Sequence, residues 1–85
     1  MRYTIVWDRA ATEGLRRLRQ RDGEKAVRPL TKAVNDLAKN PEPPESTKLG
    51  STGIRRLRVG IYRATYEIQG ATIAVKILMV GSTAV

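Results

Sequence analysis

The sequence predicts an α+β domain of order β-α-α-β-β-β, with a helical hairpin packed on one face of a mostly antiparallel four-stranded sheet. Three observations predict it. Two apolar stripes of helical spacing lie between residues 8 and 39, separated by Asp22-Gly23. Stretches rich in β-branched and aromatic residues flank them on both sides. Three prolines within residues 40–45 (NPEPPE) divide the helical part from the later strands. With 85 residues, 41% of them hydrophobic and 28% charged, the chain has material for one domain (residues 1–85) and one modest core.

The elements follow in order. Residues 3–7 read as a strand, because Tyr3, Ile5 and Trp7 alternate with Thr4 and Val6. Asp8 is a good N-cap for the first helix. In that helix Ala11, Leu15 and Leu18 form the apolar stripe, while Arg16, Arg17, Arg19 and Arg21 lie largely outside it, a charged outer face. Gly14 weakens this helix by about 1 kcal/mol relative to Ala, and Asp22-Gly23 ends it. The second helix is predicted over residues 24–39, with Ala26, Leu30, Ala33, Val34 and Leu37 as its stripe and a kink at Pro29. The short joint makes the two helices an antiparallel pair. Residues 40–45 are expected to cross the domain in extended form. Strands are predicted at 54–59, 62–68 and 72–80, with turns at Gly60-Ile61 and Gln69-Gly70. The last is nearly unbroken in apolar residues apart from Lys76, which predicts a central strand buried on both faces.

Charge and composition narrow the function. Sixteen Lys+Arg against eight Asp+Glu give a net charge of +8, a surplus that points to a polyanionic partner. Cysteine and histidine are both absent, which excludes disulfides, Cys- or His-ligated metal sites and imidazole acid–base chemistry. The longest apolar run, residues 77–80, is too short for a membrane span, and MRYTIVWD lacks the apolar run of a signal peptide. The chain is therefore expected to be cytoplasmic. Glu42 and Glu45 have no histidine to work with, which argues against a paired-carboxylate hydrolase.

Residues 54–66 (IRRLRVGIYRATY) carry the most information. A two-residue type II′ turn at Gly60-Ile61 sets Val59 opposite Tyr62, Arg58 opposite Arg63, Leu57 opposite Ala64 and Arg56 opposite Thr65. Leu57, Val59, Tyr62, Ala64 and Tyr66 then share the core face, and Arg56, Arg58 and Arg63 share the other. Like charges directly opposite one another are destabilising. No carboxylate lies between residues 47 and 66 to relieve them. Three guanidinium groups on a rigid face suit a phosphate held between them. The competing account, a solvated face that discourages edge aggregation, remains open on these residues alone.

The element order, the Asn40-Pro41 end of the second helix, Leu49-Gly50 and the hairpin RLRVGIYR followed by Tyr66 resemble the RelE/ParE superfamily of bacterial toxin–antitoxin toxins. The usual form of that strand is R-L-R-V-G-D-Y-R, so Ile61 stands where Asp is common. The resemblance spans residues 3–81. It implies a toxin neutralised by a co-expressed antitoxin, whose acidic segment would fold on docking. It also implies a RelE-like, ribosome-dependent mRNA endoribonuclease that needs no metal or other cofactor and in which the ribose 2′-OH attacks the adjacent phosphate. By the same resemblance Arg56 and Arg63 are the catalytic positions, and Lys48, Arg55 and Arg58 contact RNA or phosphate. The implied partners are the antitoxin, the ribosome and mRNA; operator DNA is met only through the antitoxin, and no membrane is involved. RelE-like nucleases usually carry Arg or His just after the last strand's Gly, and then a Tyr. Here Gly81 is followed by Ser-Thr-Ala-Val, which keeps two alternatives in view: a ParE-like inhibitor of DNA gyrase, or a catalytically impaired RelE-like chain.

Overall fold

A computed structural model describes residues 2–50 and 52–83. Strand β1 (Thr4–Trp7) leads into helix α1 (Arg9–Asp22) and helix α2 (Glu24–Asp36). Strands β2 (Ser46–Lys48), β3 (Ile54–Val59), β4 (Tyr62–Gln69) and β5 (Ala74–Ser82) complete one sheet of order β1-β5-β4-β3-β2. All neighbours are antiparallel except β1 and β5, which run parallel. The helices cover one face, where Leu30, Val34, Leu37, Leu57, Tyr66 and Ile77 form the centre of the core.

The sheet has five strands where the sequence predicts four. The additional strand, β2, has only three residues and no apolar period, so nothing in the pattern marks it. The preceding NPEPPE segment is not an extended crossing either. Asn40 Oδ1 accepts a hydrogen bond from the Glu42 N–H, and the Ser46 N–H and hydroxyl both donate to the Pro43 carbonyl. These bonds fold the segment into a bend and a turn that deliver Ser46 to the edge of β3.

The helices depart from expectation in three details. Asp8 occupies the N-cap position of α1, but its side chain makes no capping hydrogen bond; its carbonyl instead receives the Thr12 N–H and hydroxyl. α2 passes through Pro29 without interruption and ends at Asp36, three residues early, with Leu37, Ala38 and Lys39 in successive turns. Its buried stripe is Val27, Leu30, Val34 and Leu37; Ala26 is exposed. Val27 buries more apolar area than Ala26, and this settles the rotation of the helix.

The β3–β4 hairpin has the predicted register, from Val59 opposite Tyr62 to Arg56 opposite Thr65. Gly60 has φ 61° and Ile61 is not in the positive-φ region, the combination a type II′ turn requires. The unbroken apolar run of β5 has a different cause from two-sided burial. Thr65 pairs with Met79 but Tyr66 pairs with Ile77, so Leu78 is an extra residue in a β-bulge. Val75 and Ile77 face the core before the bulge and Val80 faces it afterwards, while Met79 is 61% exposed on the opposite face. β5 also starts two residues late, because a 3₁₀ turn (Gly70–Thr72) and Ile73 at φ 51° occupy the connection.

Gly14 has a packing reason. A Cβ there would stand 2.7 Å from the Val80 carbonyl oxygen on β5. Alanine would gain about 1 kcal/mol of helix propensity but force α1 off a backbone atom that cannot rotate away. Gly14→Ala should therefore lower stability by a net amount of about 1–2 kcal/mol, read as a lower urea midpoint; a higher midpoint would show that helix propensity dominates.

Candidate functional site

The sheet face away from the helices carries the arginines. Arg58 and Arg63 are directly opposite, as are Arg56 and Thr65. On the other side of β4, Gly81 is opposite Arg63 and Met79 is opposite Thr65. Glycine at 81 puts no side chain beside Arg63, and a Cβ there would meet nothing within 4 Å. The result is an open groove of about 360 Å³, lined by Arg56, Arg63, Thr65, Met79, Gly81 and Ser82 among others. Arg58, opposite Arg63, is exposed and does not line the groove, while Arg56 and Arg63 are half-buried.

Five of the thirteen cations elsewhere are ion-paired. Arg16, Arg19, Arg21, Lys32 and Arg55 each have a carboxylate within 4.0 Å. Among the described residues none lies that close to Arg56, Arg58 or Arg63. The Arg56 Nε is moreover buried without a hydrogen-bond partner among the described residues. A buried donor left unpaired costs about 1–3 kcal/mol, a cost that Arg56 carries at its Nε in this arrangement.

Arg55 and Lys48 are not part of this group. They are opposite each other on the β2–β3 pair, and alternation puts Arg55 on the other face from Arg56. Arg55 Nε donates to Ser46 Oγ at 2.9 Å, and its Nη1 is 3.9 Å from Glu42 Oε2, so it ties β2 and the proline segment to β3. Lys48 is exposed and shares a separate groove with Arg55 and Glu42. The structure thus brings together Arg56, Arg58 and Arg63 of the five predicted residues.

A polar cluster buttresses one end of the groove. Arg21 grips Asp22 with two hydrogen bonds of 2.8 and 2.9 Å, and its Nη2 also donates to Ser82 Oγ at 2.9 Å. The Tyr62 hydroxyl donates to Asp22 Oδ2 at 2.5 Å. The Arg21 bonds, and then the Tyr62 bond, hold the Asp22 carboxyl down to about 2 from 3.8. The bond to Asp22 and burial push the Tyr62 phenol up. Because the folded-state value of Asp22 is depressed, its contribution to stability is complete above the ordinary carboxylate value and lost as pH falls toward 2. Thermal melts should therefore show a deficit in Asp22→Asn that is largest near neutrality and shrinks between pH 4 and pH 2; a deficit of constant size would contradict this linkage.

The pattern of the arginine hairpin makes Arg56, Arg58, Arg63 and Thr65 legible in advance. It does not give Met79, Gly81 and Ser82, since their placement depends on the bulge in β5, nor Arg21, which reaches Ser82 from 61 residues away. Chemically, the groove can bind an anion and stabilise charge growing on it. Guanidinium stays protonated and cannot act as a base. The described lining residues include no carboxylate, amine or phenol, only the hydroxyls of Thr65 and Ser82.

The comparisons with known proteins agree with this architecture. The family model described as the ParE toxin of the type II toxin–antitoxin system parDE matches residues 5–84. No curated protein matches the chain. The structure is similar to a chain of the RelBE2 toxin–antitoxin complex from Mycobacterium tuberculosis, with TM-score 0.74 and 27% identity over 96% of this chain and 99% of that one. It is similar to a chain of the archaeal RelE-RelB complex from Pyrococcus horikoshii OT3, with TM-score 0.80 and 24% identity over 99% and 98% of the two chains. In the intact E. coli RelBE toxin–antitoxin complex the likeness has TM-score 0.79 and 19% identity over 98% and 99%. A match across nearly the whole length, on a fold whose arginine hairpin has the expected register, establishes that the chain belongs to the ParE toxin family of type II toxin–antitoxin systems, within the RelE/ParE superfamily.

Proposed function

We propose that this toxin arrests translation by cleaving mRNA on the ribosome. The observation that carries the reading is the groove lined by Arg56 and Arg63, with the exposed Arg58 opposite Arg63 and, among the described residues, no carboxylate within 4.0 Å of any of the three. RNA cleavage of this class forms a bond between the ribose 2′-oxygen and phosphorus and breaks the bond to the 5′-oxygen, leaving a cyclic phosphate. The 2′-OH proton passes to water, and the leaving oxygen takes one from water. Between the two steps the phosphorane carries extra negative charge. Arg63, fixed on β4 beside the open space at Gly81, is placed to donate to it, and Arg56 to donate from the other side of the groove. Fixed donors aimed at developing charge are worth about 10²–10³ in rate. Arg58 holds a neighbouring phosphate. Lys48 and Arg55, on the other face, take no part in this step. No metal or cofactor is required.

The partner that keeps the toxin silent is a cognate antitoxin whose acidic segment neutralises the arginine face, in a cytoplasmic complex that meets operator DNA only through the antitoxin. RelE-type chains bound to their antitoxins in similar structures support this part of the reading. Among the described residues no helix is long and apolar enough to cross a membrane.

A second reading is inhibition of DNA gyrase. It is favoured by the lack of any base among the described groove residues and by the family description. The test sets the purified toxin against a coupled translation reaction and a gyrase supercoiling reaction in parallel. Loss of translation with supercoiling intact supports the proposal. Loss of supercoiling with translation intact overturns it in favour of the gyrase reading.

A further inference from the structure

Met79 is the most exposed large apolar side chain among the described residues, at 61%. A single exposed apolar residue on a small protein is ordinary; three features make this one different. It lines the same groove as Arg56 and Arg63. It owes its position to the β-bulge: unbroken alternation from Val75 and Ile77 would turn Met79 toward the helices and put Leu78 on the arginine face. Bulges re-aim side chains at the sites they border. Finally, the row Arg56–Thr65–Met79 runs straight across three strands, with Gly81 leaving the space beside Arg63 and Met79 unfilled.

We infer that Met79 is a platform for a nucleobase and sets the position of the nucleotide whose phosphate lies between Arg56 and Arg63. This rests on the RNA reading of the groove and specifies its substrate contact. Cross-strand spacing puts Met79 about 10 Å from Arg56 and, on the diagonal, about 8 Å from Arg63. With the guanidinium groups extending toward the space between, that span suits a nucleotide with its phosphate on the arginines and its base on the thioether. The groove, at about 360 Å³, is at the small end of ligand sites, the size for one nucleotide rather than a long segment. Methionine suits this role because its unbranched, polarisable thioether adapts to an aromatic ring of any shape. It therefore orients the base without reading its hydrogen-bonding edge. Strong positive charge around an apolar spot favours a nucleic acid over an apolar peptide at this position.

The chain has two methionines, so methyl-¹³C-methionine labelling gives Met79 one of two signals, assigned by its loss in Met79→Leu. The probes are a six-nucleotide single-stranded RNA and the same ribose-phosphate backbone without bases, both at low salt. The expected result is an upfield ring-current shift of the Met79 methyl with the RNA and none with the abasic chain, together with a two- to tenfold weaker RNA affinity in Met79→Ala and an unchanged affinity for the abasic chain. If the arginine Nε–H signals of residues 56 and 63 respond to RNA while the Met79 methyl does not, the platform is overturned and the RNA reading survives. If neither set responds, the groove does not hold RNA by itself and the platform is overturned. A Met79 shift produced by an acidic antitoxin peptide but not by RNA would make it a protein contact and overturn the inference.

Discussion

Replacing Arg63 by alanine should reduce cleavage of ribosome-bound message by about 10²–10³-fold without a loss of stability. Arg63 is only half-buried and pairs with no carboxylate among the described residues, so its side chain holds nothing in place. It is directly opposite Arg58, and relieving that repulsion should raise the unfolding free energy by a few tenths of a kcal/mol. Lower activity with equal or greater stability is the signature of a group placed for chemistry at a cost to the fold. Arg63→Lys should recover only part of the rate, because an ammonium keeps the charge and loses the planar fork that grips two phosphate oxygens. Cleavage kinetics and urea denaturation on the same preparations decide it. An Arg63→Ala protein that cleaves normally, or one that unfolds, would remove Arg63 from the proposed mechanism.

The largest effect on stability should come from Tyr66. It is fully buried at the centre of the core, and its hydroxyl donates to the Pro41 carbonyl at 2.6 Å. Tyr66→Ala removes the ring and leaves a cavity under α2, at about 3–5 kcal/mol. A chain of this length has roughly 4–13 kcal/mol to lose, so the variant should give up a large share of its stability and melt well below the native protein. Tyr66→Phe keeps the ring and strands only the Pro41 carbonyl, at about 1–2 kcal/mol. Denaturant midpoints should fall in the order native, Phe, Ala. Equal midpoints for the first two would show that the proline segment gains nothing from the bond.

These two residues also show what could be read from the sequence and what could not. Tyr66 and Arg63 belong to a hairpin whose turn residues, alternation and charge all agree on a single register, and there the expected faces are the observed ones. Where the signals were local but ambiguous, tertiary packing decided: Val27 rather than Ala26 faces the core because it buries more surface. Where a feature depends on a long-range irregularity, the pattern misled. The run from Ile77 to Val80 looks like two-sided burial, yet it arises because the bulge at Leu78 moves the core face by one residue. The same bulge brings Met79 and Gly81 to the arginines, so half of the groove was hidden behind it. Likewise, β2 exists because Ser46 is tied to Pro43 and Arg55, bonds that no periodicity records. Arg55 itself looked equivalent to its neighbours in composition, but its parity along β3 sends it to the opposite face.

Cleavage of an RNA phosphodiester is the action proposed for the arginine groove. It is tested most directly by mapping new 3′ ends on a defined message, with and without bacterial ribosomes, after incubation with the purified toxin. A cut within the A-site codon is expected, present only with ribosomes, leaving a cyclic phosphate and suppressed in Arg63→Ala. An intact message on toxin-treated ribosomes, under conditions where the same preparation blocks gyrase supercoiling, would contradict it.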